Sequence, residues 1–283
     1  MNRIHFLKAI WSDIILLEQD QSYAMIDTGY ESQKEEIILY LKERNIKKLD
    51  FIFITHFHRD HYGSLKELLN KFHIDKVYIK AYSGLDGKTA DGNIADNDYR
   101  KKEMKRYQDL IHEIKDKSQL IEITEQINKI TWKNMVLNLY NINNKLQTIF
   151  EDKNHPYYHQ YKISENYNSC AVLLQYQNKK IYLASDLTDY PNEEKDLTMC
   201  NCKIAKKIGH INIYKSAHHG LDNCNSKQTL DILTPDITVT TNTKDYIKNV
   251  STYLSNTHSK VFSTEKETII INLDTMEIRA YKN

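Results

Sequence analysis

Short apolar runs alternate with amphipathic segments along the first half of the chain. Runs and alternations typical of strands occur at "IHFLKAI", "DIILLEQ", "SYAMIDTG", "FIFITH" and "KVYIK". Apolar residues at helical spacing occur in "SQKEEIILYLKERNIKKLD", "GSLKELLNKFHID" and "DYRKKEMKRYQDLIHEIKDK". This mixture of strands and helices predicts an α/β fold.

The second half repeats the same kind of pattern. "CAVLLQYQNKKIYLASD" predicts a hairpin with its turn near Asn178, "INIYKSAHHG" a strand that ends in histidines, and "TIIINLDTMEIRAY" a closing hairpin. No segment rich in Pro, Gly or Ser divides the halves. We therefore expect a single domain over residues 1–283, built from two similar halves of sheet and helix.

Charge and hydropathy limit the partners. The formal net charge is +1, so no global field favours nucleic acid or a membrane surface. No segment approaches the roughly 20 apolar residues that span a bilayer, and the first 20 residues lack the basic, apolar and small-residue order of a signal peptide. We expect a cytoplasmic protein with no membrane partner; the sequence does not determine an oligomeric state.

The four cysteines are predicted to be free thiols. Cys200 and Cys202 are separated by one residue rather than the two of a zinc knuckle, and no second pair accompanies them. Cys170 and Cys224 stand alone in the sequence. A structural zinc site or a disulfide framework is therefore not expected.

Three histidines and an aspartate follow the predicted strand "FIFITH" within six residues. His56 and His58 are two positions apart, so in an extended segment they point the same way and can hold one cation. Asp60 and His61 follow as the chain turns towards a helix, where they can face a second, adjacent site. Imidazole with carboxylate suits Zn²⁺, with Mn²⁺ or Fe²⁺ as alternatives. The sequence therefore predicts a divalent-metal site at this strand end.

The segment "THFHRDH" resembles the His-x-His-x-Asp-His signature of the metallo-β-lactamase fold superfamily. Other motifs agree with that family in order and spacing over nearly the whole chain: "AMIDTG" with Asp27, "IYLASD" with Asp186, and "YKSAHHG" with His218 and His219. The resemblance implies a four-layer αββα sandwich with two divalent metal ions at one edge of the two sheets.

The resemblance also implies a set of ligands for the two ions: His56, His58, Asp60, His61, Asp186 and His219. Asp186 is expected to bridge the ions, and Asp27 to accept a hydrogen bond from a ligand imidazole. We favour His219 over His218 as the ligand, so that His218 donates a hydrogen bond to substrate phosphate. His155 and His159 are candidates for a further ligand, but their polar surroundings favour surface or pocket-wall positions.

Two branches of the superfamily are most similar. "DTGY" and "NSKQTLDILTP" resemble the phosphorylcholine esterase catalytic domain, whereas "SAHHG" and "VFSTEKETIIINL" resemble the hydrolase domain of DNA-uptake competence proteins. Both imply phosphoester hydrolysis.

Two metal ions about 3.5–4 Å apart can share a water and turn it into a hydroxide that attacks phosphorus. In that scheme the catalytic residues are Asp60, which orients the nucleophile, and His218.

Aromatic side chains in the predicted loops bear on the substrate. Tyrosine faces can hold a quaternary ammonium group or stack on nucleobases, or simply pack the loops. The candidates are Tyr30, Tyr82, Tyr157, Tyr158, Tyr161 and Tyr167. No dense basic stripe accompanies them, so a small phosphoester, such as a phosphorylcholine or nucleotide ester, is favoured over DNA or RNA. The alternatives are a nuclease, a thioester or lactone hydrolase, and a non-catalytic metal-binding protein. The complete ligand set disfavours the last of these.

Overall fold

The structure is a computed structural model that describes residues 1–84, 97–142, 164–189, 200–248, 250–251, 254 and 258–282. The first of its two sheets has eight strands. In chain order they are β1 (Asn2–Phe6), β2 (Ile14–Gln19), β3 (Ser22–Thr28), β4 (Lys48–Ile54), β5 (His73–Lys80), β6 (Gln119–Ile123), β14 (Thr268–Asn272) and β15 (Ile278–Tyr281). Their spatial order is β15-β14-β1-β2-β3-β4-β5-β6.

The second sheet has seven strands. In chain order they are β7 (Lys129–Trp132), β8 (Met135–Tyr140), β9 (Ala171–Tyr176), β10 (Lys179–Leu183), β11 (Ile213–Lys215), β12 (Ile237–Thr240) and β13 (Lys260–Ser263). Their spatial order is β13-β12-β11-β10-β9-β8-β7.

The two sheets share one topology. In the first, β1, β2 and β3 are antiparallel neighbours, and β4, β5 and β6 then add in parallel. In the second, β8, β9 and β10 are antiparallel, and β11, β12 and β13 add in parallel. The strands β4 and β11, whose ends carry the histidine motifs, therefore hold equivalent positions. The predicted similarity of the halves has this topological basis.

Helices cover the outer face of each sheet. Those on the first sheet are Lys34–Glu43, Leu65–Lys71 and Asn97–Lys117, with the single turn Arg59–Tyr62; those on the second are Cys200–Ile208 and Lys227–Leu233. Four short 3₁₀ turns, at Glu31–Gln33, Glu165–Asn168, Ala217–Gly220 and Asp222–Cys224, complete the described elements. Within the described part of the chain, no helix has the length and hydropathy required to cross a bilayer.

The apolar residues form three clusters that correspond to the three interfaces between layers. The largest lies between the sheets and includes Phe53, Leu137 and Ile181. The other two lie between each sheet and its helices. Burial on both faces explains why strands such as β4 read as continuous apolar runs, since each fully buried Ile, Leu or Phe contributes about 1.5–3 kcal/mol. The predicted αββα sandwich is confirmed.

The sequence patterns located most elements correctly, but β6, β13 and the helices Cys200–Ile208 and Lys227–Leu233 were not predicted. The strands β6 and β13 lie at the edges of the two sheets and are short, with one buried residue each. Likewise, the C-terminal hairpin returns to the first sheet and pairs with β1, which no local pattern indicates. All four cysteines are free, as predicted.

Candidate metal centre

The turn after β4 brings its histidine side chains to one point. His58 is still extended, with φ −113° and ψ 148°, and the helical turn Arg59–Tyr62 starts immediately after it. The His56 Nε2 and His58 Nδ1 atoms lie 3.1 Å apart. The two imidazoles therefore face the same position, as their spacing of two residues predicted.

Asp186 comes from the other half of the molecule, just after β10. Its Oδ1 atom lies 3.3 Å from His61 Nε2, and its Oδ2 atom lies 3.9 Å from His56 Nε2. The preceding residue, Ser185, has a left-handed φ of 51°, an uncommon conformation for a residue with a side chain. This carboxylate therefore stands between the two parts of the histidine motif.

His218 and His219 lie in a turn after β11 rather than on the strand itself. Both have left-handed backbones, with φ of 46° and 57°, so strand alternation does not separate their side chains. His219 Nε2 lies 3.1 Å from Asp60 Oδ2 and 3.6 Å from Asp186 Oδ2. His218 Nε2 lies 3.5 Å from the same Asp186 oxygen, and its side chain is 24% exposed. Both histidines therefore reach the centre.

The ligand atoms form two groups that share Asp186. The four-ligand group consists of Asp60, His61, Asp186 and His219, and the three-ligand group of His56, His58 and Asp186. Within each group all ligand atoms lie within 4.8 Å of one another. These are the six residues that the sequence predicted as ligands, and His218 belongs to neither group.

The chemistry of these residues fits divalent cations. The buried atoms His61 Nε2, Asp186 Oδ1 and Asp186 Oδ2 make no well-aligned hydrogen bond to any described residue. Such atoms are costly to bury unless something coordinates them. Mixed imidazole and carboxylate donors at this spacing suit zinc-type ions. The two groups could therefore hold divalent metal.

Buried carboxylates orient the imidazoles of the four-ligand group. His61 Nδ1 lies 2.7 Å from Asp27 Oδ2, and Asp27 also accepts hydrogen bonds from the Thr55 backbone N–H and hydroxyl, both at 2.8 Å. Asp27 thus occupies the position that the sequence predicted. His219 Nδ1 lies 3.1 Å from Asp13 Oδ1. In both imidazoles this contact directs Nε2 into the centre.

Sequence reasoning missed Asp13. Its carboxylate also forms an ion pair with the fully buried Lys215 and accepts a hydrogen bond from Thr241 at 2.8 Å. Asp13 is 206 residues from His219 in the chain and belongs to no motif. The one sequence feature that could have indicated Asp13 is its position directly before the buried strand β2. A charged residue at the end of a buried strand often has a partner or a function.

The electrostatics of the metal-free chain match this arrangement. Burial alone lowers the pKa of His219, but the Asp186 and Asp13 carboxylates outweigh it and raise that pKa to about 9. Burial likewise disfavours the charged form of His61, yet the neighbouring carboxylates hold its pKa well above the ordinary value. Protons on these rings thus balance the buried carboxylates, and a divalent ion would replace those protons.

The three-ligand group has a different environment. Burial, followed by repulsion from the other imidazoles, holds the pKa of His56 well below its ordinary value. Its Nδ1 atom lies 3.2 Å from the Thr55 hydroxyl and 3.3 Å from the Ser185 hydroxyl, with no carboxylate in that role. Neutral His56 is therefore a ready ligand, and the described partners of its Nδ1 atom are hydroxyl groups.

The predicted loop residues are only partly described. Tyr30, Tyr82 and Tyr167 lie within the described residues, Tyr30 exposed and the other two buried. The remaining tyrosines and the two further histidine candidates lie outside them: His155, Tyr157, Tyr158, His159 and Tyr161. The Asn166 amide nitrogen, which sequence reasoning did not single out, lies 3.3 Å from His218 Nε2.

Two sheets flanked by helices, with clustered histidines and aspartates at the strand ends, are the arrangement of the metallo-β-lactamase fold. The family model of the metallo-β-lactamase superfamily matches residues 12–128, which contain the histidine motif. This matched segment resembles the superfamily, whose members are mostly metal-dependent hydrolases. No curated protein sequence matches the chain.

Solved structures support the fold over nearly the whole length. The metallo-β-lactamase fold protein YhfI from Bacillus subtilis is 11% identical with a TM-score of 0.55, covering 93% of this chain and 96% of its own. Igni18, a metallo hydrolase from Ignicoccus hospitalis, is 13% identical with a TM-score of 0.52, covering 96% and 99%. A diphosphatase from the PhnP family is 10% identical with a TM-score of 0.51, covering 93% and 95%.

Proposed function

We propose that the protein is a metal-dependent phosphoesterase that holds two divalent ions, with Zn²⁺ favoured, and cleaves a small phosphodiester in the cytoplasm. The observation that carries the proposal is the pair of ligand groups that meet at Asp186. Two ions held there would supply Lewis acidity at the phosphoryl oxygens and an acidified water as nucleophile.

Each side chain has a defined part in this proposal. Asp186 fixes the spacing of the two groups because both of its oxygens face ligand nitrogens. Asp60 is less buried than the other members of its group, so it can ligate and also orient the nucleophile. His218 stands at the edge of the centre with its Nε2 directed towards Asp186, where a hydrogen bond to a phosphoryl oxygen would stabilise developing charge.

The phosphoester class rests on the resemblance of the motifs to the phosphorylcholine esterase and competence-protein domains. A protein of the same fold that is described as a diphosphatase is compatible with this chemistry. The low net charge supports a small substrate over nucleic acid, because nucleic-acid binding depends on an extended basic surface.

The experiment combines metal analysis with two chromogenic substrates, bis-p-nitrophenyl phosphate and p-nitrophenyl phosphorylcholine. The metal-loaded wild type should hydrolyse at least one of them, and His58→Ala should lose about 100-fold or more of that activity, since even outer partners of metal ligands cost 10–100-fold. His73→Ala is the matched control, because His73 is 69% exposed and pairs only with Asp75 among the described residues. Absence of turnover by the metal-loaded wild type would refute the phosphoesterase proposal.

A further inference from the structure

A cavity of about 550 Å³ adjoins the turn that carries the metal-ligand candidates. Its lining includes Tyr30, Arg59 and Tyr62 on one side and Arg106, Asp109 and Leu110 of the helix Asn97–Lys117 on the other. Arg59 stands between the ligand candidates His58 and Asp60 in the chain. The cavity and the candidate metal centre therefore share one short segment of backbone.

Tyr30 connects the cavity with the centre. The ring is 37% exposed and lines the cavity. Together with Arg59, it places the cavity wall next to the segment that carries His58 and Asp60. A molecule whose reacting group lies at the ligand groups would enter the cavity along this segment, past Tyr30.

Two guanidinium groups in the cavity wall share a single counter-charge. Arg59, through Nε at 3.2 Å and through Nη2, and Arg106, through Nη1, donate to the same oxygen of Glu103. The Glu103 side chain is only 3% exposed, and Tyr62 donates to its other oxygen at 3.2 Å. One buried carboxylate therefore serves two guanidinium groups at once.

The arginines also keep hydrogen-bond donors for a ligand. Among the described residues, Arg59 Nη1 and both Nε and Nη2 of Arg106 make no hydrogen bond. The side chains are 49% and 45% exposed. Because Glu103 holds both guanidinium groups in place, a bound oxyanion would meet N–H donors that are already ordered.

The other charges of the cavity are largely balanced. Within the described residues, Lys34 pairs with Glu31 at 3.6 Å, and Glu67 pairs with Lys71 at 3.7 Å. Asp109 lies one helical turn after Arg106 and has no ion pair among the described residues. Its unpaired carboxylate would repel a bound anion. Removing this charge should therefore strengthen anion binding, whereas removing an arginine should weaken it.

We propose that Arg59 and Arg106 form a subsite for a second phosphate group of the substrate, separate from the phosphoester that is cleaved. The preferred substrate is then a phosphodiester that carries a further phosphomonoester on the part lying past Tyr30. This inference rests on the proposed phosphoesterase function, and it adds a substrate class to that function.

The kinetic test uses two substrates that differ in one group. Thymidine 5′-(p-nitrophenyl phosphate) is compared with the same compound bearing a 3′-phosphate. For the wild type, the 3′-phosphate should lower KM by about tenfold, the effect of one charge-assisted hydrogen-bonding pair. Arg106→Gln should remove most of that tenfold preference, and Asp109→Asn should increase it. Arg279→Gln, remote from the cavity on β15, should leave the preference unchanged.

A binding test on the full chain does not depend on turnover. Inorganic phosphate is titrated with and without added metal while the ¹H–¹⁵Nε signals of the arginine side chains are followed. Saturable shifts at Arg59 and Arg106 in both states, weakened about tenfold at Arg59 in Arg106→Gln, are expected. Arg106→Lys should bind with intermediate affinity, since it keeps the charge but not the fork.

The outcomes separate the two proposals. Arginine shifts without turnover of either substrate would leave the subsite standing and refute the phosphoesterase function. Turnover of both substrates with equal KM and no arginine shifts would overturn the subsite and leave the function intact. If neither turnover nor shifts are found, both proposals are wrong.

Discussion

The four-ligand group and the three-ligand group share Asp186 but hold their imidazoles in different ways. In the four-ligand group, His61 contacts the Asp27 carboxylate at 2.7 Å, and His219 contacts a second buried carboxylate at 3.1 Å. In the three-ligand group, the Nδ1 atom of His56 lies 3.2 and 3.3 Å from the Thr55 and Ser185 hydroxyls, and no carboxylate among the described residues contacts that atom. His61 and His219 are thus supported by carboxylates, whereas the Nδ1 atom of His56 is supported by neutral hydroxyl dipoles.

This difference predicts unequal affinities for the two proposed ions. A carboxylate partner increases the basicity of an imidazole ligand and fixes its orientation. The four-ligand group also contributes two carboxylates of its own, Asp60 and Asp186, whereas the three-ligand group has Asp186 alone. We therefore expect the four-ligand group to hold its ion more tightly and the three-ligand group to exchange its ion more readily.

The largest effect is expected where the two groups meet. Asp186→Ala removes a ligand from both groups at once, so the chain should lose both ions and at least about 1,000-fold in activity. Metal content by mass spectrometry and turnover of bis-p-nitrophenyl phosphate are the measurements. Asp231→Ala, an exposed aspartate paired with Lys227, is the control. If Asp186→Ala retained both ions, the two groups would not share this carboxylate in solution.

A smaller effect distinguishes the groups from each other. His61→Ala should release the ion of the four-ligand group, and His58→Ala the ion of the three-ligand group, so each variant should bind about one ion fewer than the wild type. Because the four-ligand group is the tighter one, the ion that remains in His61→Ala should be removed at lower chelator concentration than the ion that remains in His58→Ala. Equal release from both variants would contradict the inequality of the two groups.

The motifs predicted the candidate ligands and the supporting residue Asp27, but not the second supporting residue, Asp13. The spacing of His56 and His58 at a strand end is local, so their common orientation follows from backbone geometry alone. Asp13 supports His219 across 206 residues of chain, and its ion pair with the buried Lys215 likewise joins distant parts of the sequence. Contacts of that range depend on how the two sheets pack, which no local pattern specifies.

The same limit applies to the fold. The strands buried on both faces were predictable because a short, continuous apolar run is typical of a strand that is covered on both sides. The edge strand Gln119–Ile123 is only five residues long with one buried residue, and it follows the long helix Asn97–Lys117 almost directly, so no turn signal separated the two elements. The left-handed turn at His218 and His219 was equally hidden, because neither residue is a glycine whose preference would have marked it.

Removing the Asp27 carboxylate, which contacts His61, should reduce the difference in metal affinity between the two ligand groups. In Asp27→Asn, the amide cannot accept hydrogen bonds at both of its ends, so it loses a proper contact either with His61 or with the Thr55 N–H. We expect the affinity of the four-ligand group to fall by about 10- to 100-fold, with about 1–3 kcal/mol lost from the free energy of unfolding. Chelator competition and thermal unfolding measure the two effects. Asp231→Asn is the control, and unchanged affinity in Asp27→Asn would show that Asp27 is merely structural.

The smallest effect is expected from removing the Ser185 hydroxyl, which supports His56 in the three-ligand group. The Ser185 hydroxyl donates to Thr55 Oγ1 at 2.8 Å and lies 3.3 Å from His56 Nδ1, so its loss should weaken the three-ligand group by about 2- to 10-fold, the range of one neutral hydrogen bond. Ser185 has a left-handed backbone, which makes a single variant ambiguous. Ser185→Ala keeps the backbone strain and Ser185→Gly relieves it, yet both remove the hydroxyl. If the hydroxyl acts through His56, the two variants should weaken the three-ligand group equally while differing in thermal stability. A change in affinity that follows stability instead would assign the effect to the backbone.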